Sequence, residues 1–194
     1  MKQFTIALLL SIPFFLQAQS EAKINWLSWD EAVELQKQEP KMVFIDVYTD
    51  WCGWCKKMDQ STFKDPKIIE AMNKYYYAVK LDAEMVEEIT FNGHTFVNPA
   101  PAVTDPKTGR VRKGTHTLAA SLLDNQMSYP SFVVLDQNMT RTHIIKGYQK
   151  VNPLNGILYF FGTGQYQNYR QYILYEQSQI QMRQQNAQAP SGSQ

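Results

Sequence analysis

The run Asp46-Val47-Tyr48-Thr49-Asp50-Trp51-Cys52-Gly53-Trp54-Cys55-Lys56-Lys57 constrains this chain more than any other. It holds the only two cysteines, two residues apart, where an apolar stretch (Met42 to Tyr48) gives way to a helical pattern. A strand feeding directly into a helix is an α/β arrangement. A dithiol at that junction lies where unpaired N–H groups and aligned peptide dipoles stabilise a thiolate. A disulfide closing so short a loop removes only about 2 kcal/mol of unfolded-chain entropy, against nearly 5 for a long loop. Stability is therefore a poor reason for the pair, and thiol–disulfide chemistry is the better one. An inert structural disulfide is the competing reading.

The first residues bear on compartment. Met1-Lys2-Gln3 gives a positive start, Phe4 to Leu16 is an apolar run broken only by Thr5, Ser11 and Pro13, and Ala18 is a plausible cleavage position. Residues 1–18 thus read as a secretory signal peptide, too short for a membrane span, and the mature chain is expected to be periplasmic or secreted. No later run approaches the roughly 20 apolar residues of a spanning helix, so the mature form is not expected to span a membrane. Removing Lys2 from nineteen basic residues leaves eighteen against eighteen acidic ones, a balance that does not suggest nucleic acid as a partner. Composition, 44% hydrophobic and 13% aromatic, suits one globular domain over 19–185, with a disordered tail over 186–194.

Ser28-Trp29-Asp30-Glu31 is a capping box that opens a helix to about Gln38, which Pro40 stops. Met42 to Tyr48 is a buried strand, and Cys52 to about Phe63 the helix after it. Asp65-Pro66 caps a helix to Tyr75, and Tyr77 to Asp82 is a second central strand. A helix spans about Thr115 to Asn125. Ser131 to Asp136 and Arg141 to Lys146 form a hairpin, and helical patterns run from Asn152 onward.

This order, with Cys-x-x-Cys at the first strand–helix junction, resembles the thioredoxin fold: a central mixed sheet flanked by helices, here with an inserted hairpin or arm and extended C-terminal helices. The local matches are Asp46 six residues before the first cysteine, Trp51 directly before it, Lys56 after the second, Lys80, Tyr129-Pro130-Ser131 and Gly147. The Trp-Cys-x-x-Cys-Lys block with Thr62-Phe63 is similar to exported bacterial thioredoxin-like proteins and to the C-terminal thioredoxin domain of the transmembrane reductant conductor. The resemblance implies that Lys80 faces Asp46, that Asp46 takes the proton of the resolving thiol, and that Pro130 is cis and offers a backbone edge to substrate.

Cys52, nearer the helix start, is expected to be the exposed nucleophile, and Cys55, one turn in, the buried resolving thiol. Asp46 lies in an otherwise apolar strand, where an unpaired carboxylate is costly and its pKa rises. A carboxylate satisfied by strand-end backbone or by Lys80 alone is the plainer account. Trp51 and Trp54 are expected to flank the dithiol, Trp51 half in the core and Trp54 offered to substrate, with Tyr129 and Pro130 completing the surface. Lys56 and Lys57 serve a solvated helix face or the thiolate.

Residues 85–114 exceed what a minimal member needs. Ile89 to Val97 alternates around Asn92-Gly93, a strong hairpin signal, and an arm rich in proline follows. The insertion either overhangs the dithiol or covers a sheet edge. No cofactor is expected. A c-type haem needs His after the second cysteine, where Lys56 stands, and His94, His116 and His143 lack metal-ligand spacing. The aromatic run Tyr159 to Tyr175 is terminal-helix packing or a partner face.

Electron direction is not readable, because dithiols of this kind span about −270 to −120 mV. The likeness to reductant-conducting domains and the buried Asp46 favour reduction or isomerisation of protein or peptide disulfides, with a membrane-embedded thiol donor. A disulfide-forming oxidant and a non-catalytic binding module are the alternatives.

Overall fold

The computed structural model describes residues 22–188 except 101, 105, 108, 110 and 113. The expected signal peptide, 1–18, lies outside the described residues. In chain order the elements are β1 (Trp26–Leu27), α1 (Trp29–Gln38), β2 (Met42–Tyr48), α2 (Gly53–Gln60), a 3-10 turn (Thr62–Lys64), α3 (Pro66–Tyr75), β3 (Tyr76–Asp82), β4 (Ile89–Phe91), β5 (His94–Phe96), β6 (Val103–Thr104), β7 (Val111–Arg112), α4 (Thr117–Leu122), β8 (Ser131–Leu135), β9 (Arg141–Lys146), α5 (Val151–Gly162) and α6 (Gln165–Gln188).

Five strands make one mixed sheet in the order β1-β3-β2-β8-β9. β3 runs parallel to both β1 and β2, while β8 is antiparallel to β2 and to β9. Strand alternation sorts the apolar side chains into two cores. Met42, Phe44, Tyr76, Ala78, Phe132 and Val134 meet α2, α3 and α5 on one face. Val43, Ile45, Val47, Val79, Leu81 and Val133 meet α1 and α4 on the other. β2 is buried from Met42 to Val47 because it is central and covered on both sides. Asp46 and Lys80 fall in the first set by the same parity, so they lie on the face that α2 covers.

Local sequence sets the helix ends. Ser28 and Glu31 form the reciprocal capping box at α1, and Asp65 caps α3 with Pro66 in its first turn. The helix expected to reach Phe63 stops at Gln60. Ser61 leaves helical geometry at φ −128° and ψ −82°, and its hydroxyl donates to the Lys57 carbonyl at 2.6 Å. At the other terminus α6 runs to Gln188, past the position where the tail was expected to begin, and residues 189–194 lie outside the described set.

The insertion forms two small hairpins. β4 and β5 turn at Asn92 and Gly93, with φ of 51° and 74°, the left-handed pair that an Asn-Gly hairpin uses. Ile89 is buried in the α1/α4 core, and Phe91 meets the Trp29 ring edge-on at 5.3 Å, so this hairpin covers the sheet's α1 side. His116 is fully buried and ties the insertion to α4. Its Nδ1 accepts from the Leu118 amide at 3.3 Å, which leaves Nε2 to donate to the Glu87 carbonyl at 3.1 Å.

Packing is close where α5 crosses α3. A Cβ at Gly162 would stand 2.6 Å from Tyr75 Cβ and 2.8 Å from its Cγ, atoms anchored close to the backbone of α3. Gly162→Ala is expected to destabilise the fold by about 1–3 kcal/mol, read as a lower urea midpoint with unchanged slope.

Candidate functional site

β2 delivers the chain to the N-terminus of α2, where Cys52 is the capping residue. Cys52 and Cys55 are joined as a disulfide, with Cα atoms 5.3 Å apart. The Cys55 amide donates to Cys52 Sγ at 3.0 Å, so the first sulfur receives a donor the helix would otherwise leave unpaired. Both cysteines are buried, at 4% and 3% exposure, which corrects the expectation of an exposed Cys52. In the oxidised pair the first sulfur is drawn in toward the second and lies over the Cys55 amide. The approach from outside is open at Gly53, where an added Cβ would meet nothing within 4 Å.

Beneath α2 the charges are arranged around Lys80. Asp46 and Lys80 are register partners on β2 and β3, and Lys80 Nζ donates to Asp46 Oδ2 at 2.7 Å. The same ammonium bonds Asp59 of α2, and the Trp26, Tyr48 and Phe63 rings surround it at 4.8, 5.2 and 5.4 Å. Asp46 is 1% exposed and its Oδ1 has no hydrogen-bond partner. Burial pushes this carboxyl up to about 6, against the pull of Lys80. Burial alone would lower Lys80, but its two carboxylate partners outweigh that and hold it above the ordinary lysine range. A buried carboxyl poised near neutrality, on the face that α2 covers, is able to exchange a proton.

Two exposed indoles flank the pair. Trp54 is 56% exposed, tilted against Tyr148 with ring centroids 5.4 Å apart. Trp51 is 64% exposed rather than half in the core. Its ring stands out from the surface, held by its Nε1–H donating to Glu84 at 2.9 Å and by an edge contact with Tyr129 at 5.8 Å. The Tyr129–Pro130 peptide is cis, and the Pro130 carbonyl accepts from the Gly147 amide at 2.8 Å, which brings Tyr148 to the same end of the molecule.

The structure thus collects Asp46 with Lys80, Trp51 with Tyr129, and the cysteines with each other. It adds Asp59, Glu84 and Tyr148, which sequence reasoning does not reach. Asp59 had a signal, since it lies one turn beyond Cys55 and so on the same side of α2. Glu84 and Tyr148 had none, because only the tertiary fold brings them to the indoles. The insertion is rooted here: Asn98 donates to the Glu84, Met85 and Gly114 carbonyls at 3.3, 3.1 and 2.8 Å. Among the described residues no group of three or more His, Cys, Asp or Glu is placed to hold a metal, and no helix is long and apolar enough to cross a membrane.

The family model Thioredox_DsbH, described as a protein of unknown function, DUF255, matches residues 8–98. Spermatogenesis-associated protein 20 of Rattus norvegicus is 29% identical over 86 residues, 44% of this chain and 11% of that protein. The thiol:disulfide interchange protein DsbD of Pseudoalteromonas atlantica is 25% identical over 80 residues, 41% of this chain and 14% of that protein. The chain therefore matches only a small part of the curated relatives' length. Among solved structures, a thioredoxin-fold protein from Helicobacter pylori superposes with a TM-score of 0.51 at 16% identity, covering 77% of this chain and 83% of that one.

Proposed function

We propose that this thioredoxin-like protein, which carries its Cys-x-x-Cys pair at disulfide distance, is an exported thiol–disulfide oxidoreductase that reduces or isomerises disulfides of proteins or peptides. The observation that carries the reading is the Cys52–Cys55 disulfide at the N-terminus of α2, over the sheet face that holds the buried Asp46–Lys80 pair. In the reduced protein, Cys52 thiolate attacks one sulfur of a substrate disulfide and expels the other as a thiolate. Cys55 gives its proton to Asp46, and the resulting thiolate attacks Cys52 Sγ, releasing the second substrate sulfur. Two electrons pass from the dithiol to the substrate, and the enzyme is left as the oxidised pair. Lys80 holds Asp46 in place. Trp51, Trp54, Tyr129 and Pro130 form the surface on which the substrate chain lies.

Return to the dithiol requires a thiol donor, which for an exported protein is a membrane-embedded partner. The similarity to a thiol:disulfide interchange protein supports exchange with a thiol partner. We assign 1–18 as the signal peptide and 19–185 as one domain.

The deciding measurement is the reduction potential of the Cys52/Cys55 pair, from equilibration in glutathione or dithiothreitol buffers followed by tryptophan fluorescence. A value near −250 mV or below is expected; one near −120 mV would reassign the protein as an oxidant. A pair that does not cycle would remove the enzymatic reading in favour of a binding module.

A further inference from the structure

The redox step makes no use of the basic group beside Trp54. Lys57 Nζ stands 4.9 Å from the Trp54 ring centroid and 5.4 Å from that of Tyr148. Lys150, the capping residue of α5, also acts on Tyr148. The Ser61 and Thr62 hydroxyls, then Lys57 and Lys150, hold that phenol below the usual tyrosine range. Among the described residues, no ion pair joins Lys57 or Lys150 to a carboxylate. A cation held over aromatic faces keeps its full charge, because the ring quadrupole attracts it without neutralising it.

The other flank has the opposite sign. Trp51 is tethered to the carboxylate of Glu84. The dithiol therefore lies between an indole paired with an anion and an indole paired with a cation. Flanks of opposite sign give an incoming chain a preferred orientation and reject like charge at each end.

We propose that Trp54, Tyr148, Lys57 and Lys150 form a specificity subsite that receives an acidic side chain of a disulfide-bearing polypeptide, close in sequence to the cysteine under attack. The inference rests on the oxidoreductase reading and names the substrate feature it selects. The indole and phenol cover the apolar part of the substrate side chain, and the two ammonium groups meet its carboxylate. Tyr148 is held near the dithiol through Gly147 and the Pro130 carbonyl, so the acidic residue and the substrate disulfide are engaged together.

Binding and turnover are measured separately. Short peptides that differ only in carrying Glu or Lys beside a central residue are made in two forms, with that residue as serine for binding by tryptophan fluorescence and as a cystine for reduction. Bis(2-hydroxyethyl) disulfide, which carries no charge, reports the redox activity alone. The intact protein is expected to bind the Glu peptide about tenfold more tightly than the Lys peptide at low salt, with the ratio shrinking as ionic strength rises. The double variant Lys57→Glu with Lys150→Glu is expected to lose or reverse that ratio. Lys37→Glu makes one such charge reversal on α1, across the sheet, and is expected to keep it. Equal binding of both peptides, or a preference that survives the double variant, overturns the subsite. Failure to reduce the uncharged disulfide would instead remove the redox reading, with the binding ratio still deciding the subsite.

Discussion

Replacing Cys55 by serine is expected to stop the reaction halfway and leave the substrate covalently attached. With no resolving thiol, the mixed disulfide formed by Cys52 has nothing within the protein to break it. Intact-mass analysis after mixing with a peptide disulfide is expected to show one adduct per chain, removed by dithiothreitol. Cys52→Ser is expected to form no adduct and to reduce turnover to the uncatalysed background, because the thiolate at the head of α2 is the attacking group. The loop is so short that losing the disulfide costs only about 2 kcal/mol. The comparison is between two folded proteins that differ in which sulfur remains. If Cys52→Ser traps substrate and Cys55→Ser does not, the roles are reversed.

The second large effect concerns Asp46. Its carboxyl is held at about 6 in the folded protein, against about 4 for an unperturbed aspartate, so between these values the native state holds a proton that the unfolded chain has released. Its contribution to stability is present in full below about pH 4 and is lost as pH rises through about 6. At pH 7 the buried charge is a cost, and Asp46→Asn is expected to stabilise the oxidised protein by about 1–3 kcal/mol. Lys80 retains Asp59 as a partner, so the substitution does not strand its ammonium. The gain is expected to vanish below pH 4, as followed by urea denaturation across the pH range. Catalysis is expected to move the other way, with resolution of the mixed disulfide slowed about 100-fold, since an amide cannot take the Cys55 proton. A variant both less stable at pH 7 and fully active would contradict the assignment on both counts.

Much of this arrangement was legible because it rests on local rules. The apolar run Met42–Tyr48, the Ser28 capping box, Asp65-Pro66 and Asn92-Gly93 each act over a few residues, and each appears in the structure where spacing placed it. Asp46 was legible for the opposite reason, as a carboxylate where strand pattern demanded a hydrocarbon. The exposures were less legible. Trp51 is held out from the surface by Glu84, 33 positions away, and nothing near Trp51 announces that partner. Cys52 is buried with its sulfur tied to Cys55, a packing that residue pattern alone does not announce. The choice between an overhanging insertion and one that covers a sheet edge also needed coordinates, which put its first hairpin on the α1 face of the sheet. β4 and β5 pack against α1, while Asn98 fixes the root of the segment beside Trp51.

The shortness of β1 has a consequence for life at high concentration. Its register with β3 ends at Val79, and β3 continues through Lys80, Leu81 and Asp82. A strand that outruns its neighbour offers backbone donors and acceptors to another chain, the usual starting point of β-sheet aggregation. Here the overhang carries Lys80 and Asp82, so a second copy adding as a strand would have to bring its backbone up against fixed charge. Lys80 and Asp82 thereby place charged residues on the overhang, a device that disfavours edge-to-edge pairing of strands from separate copies.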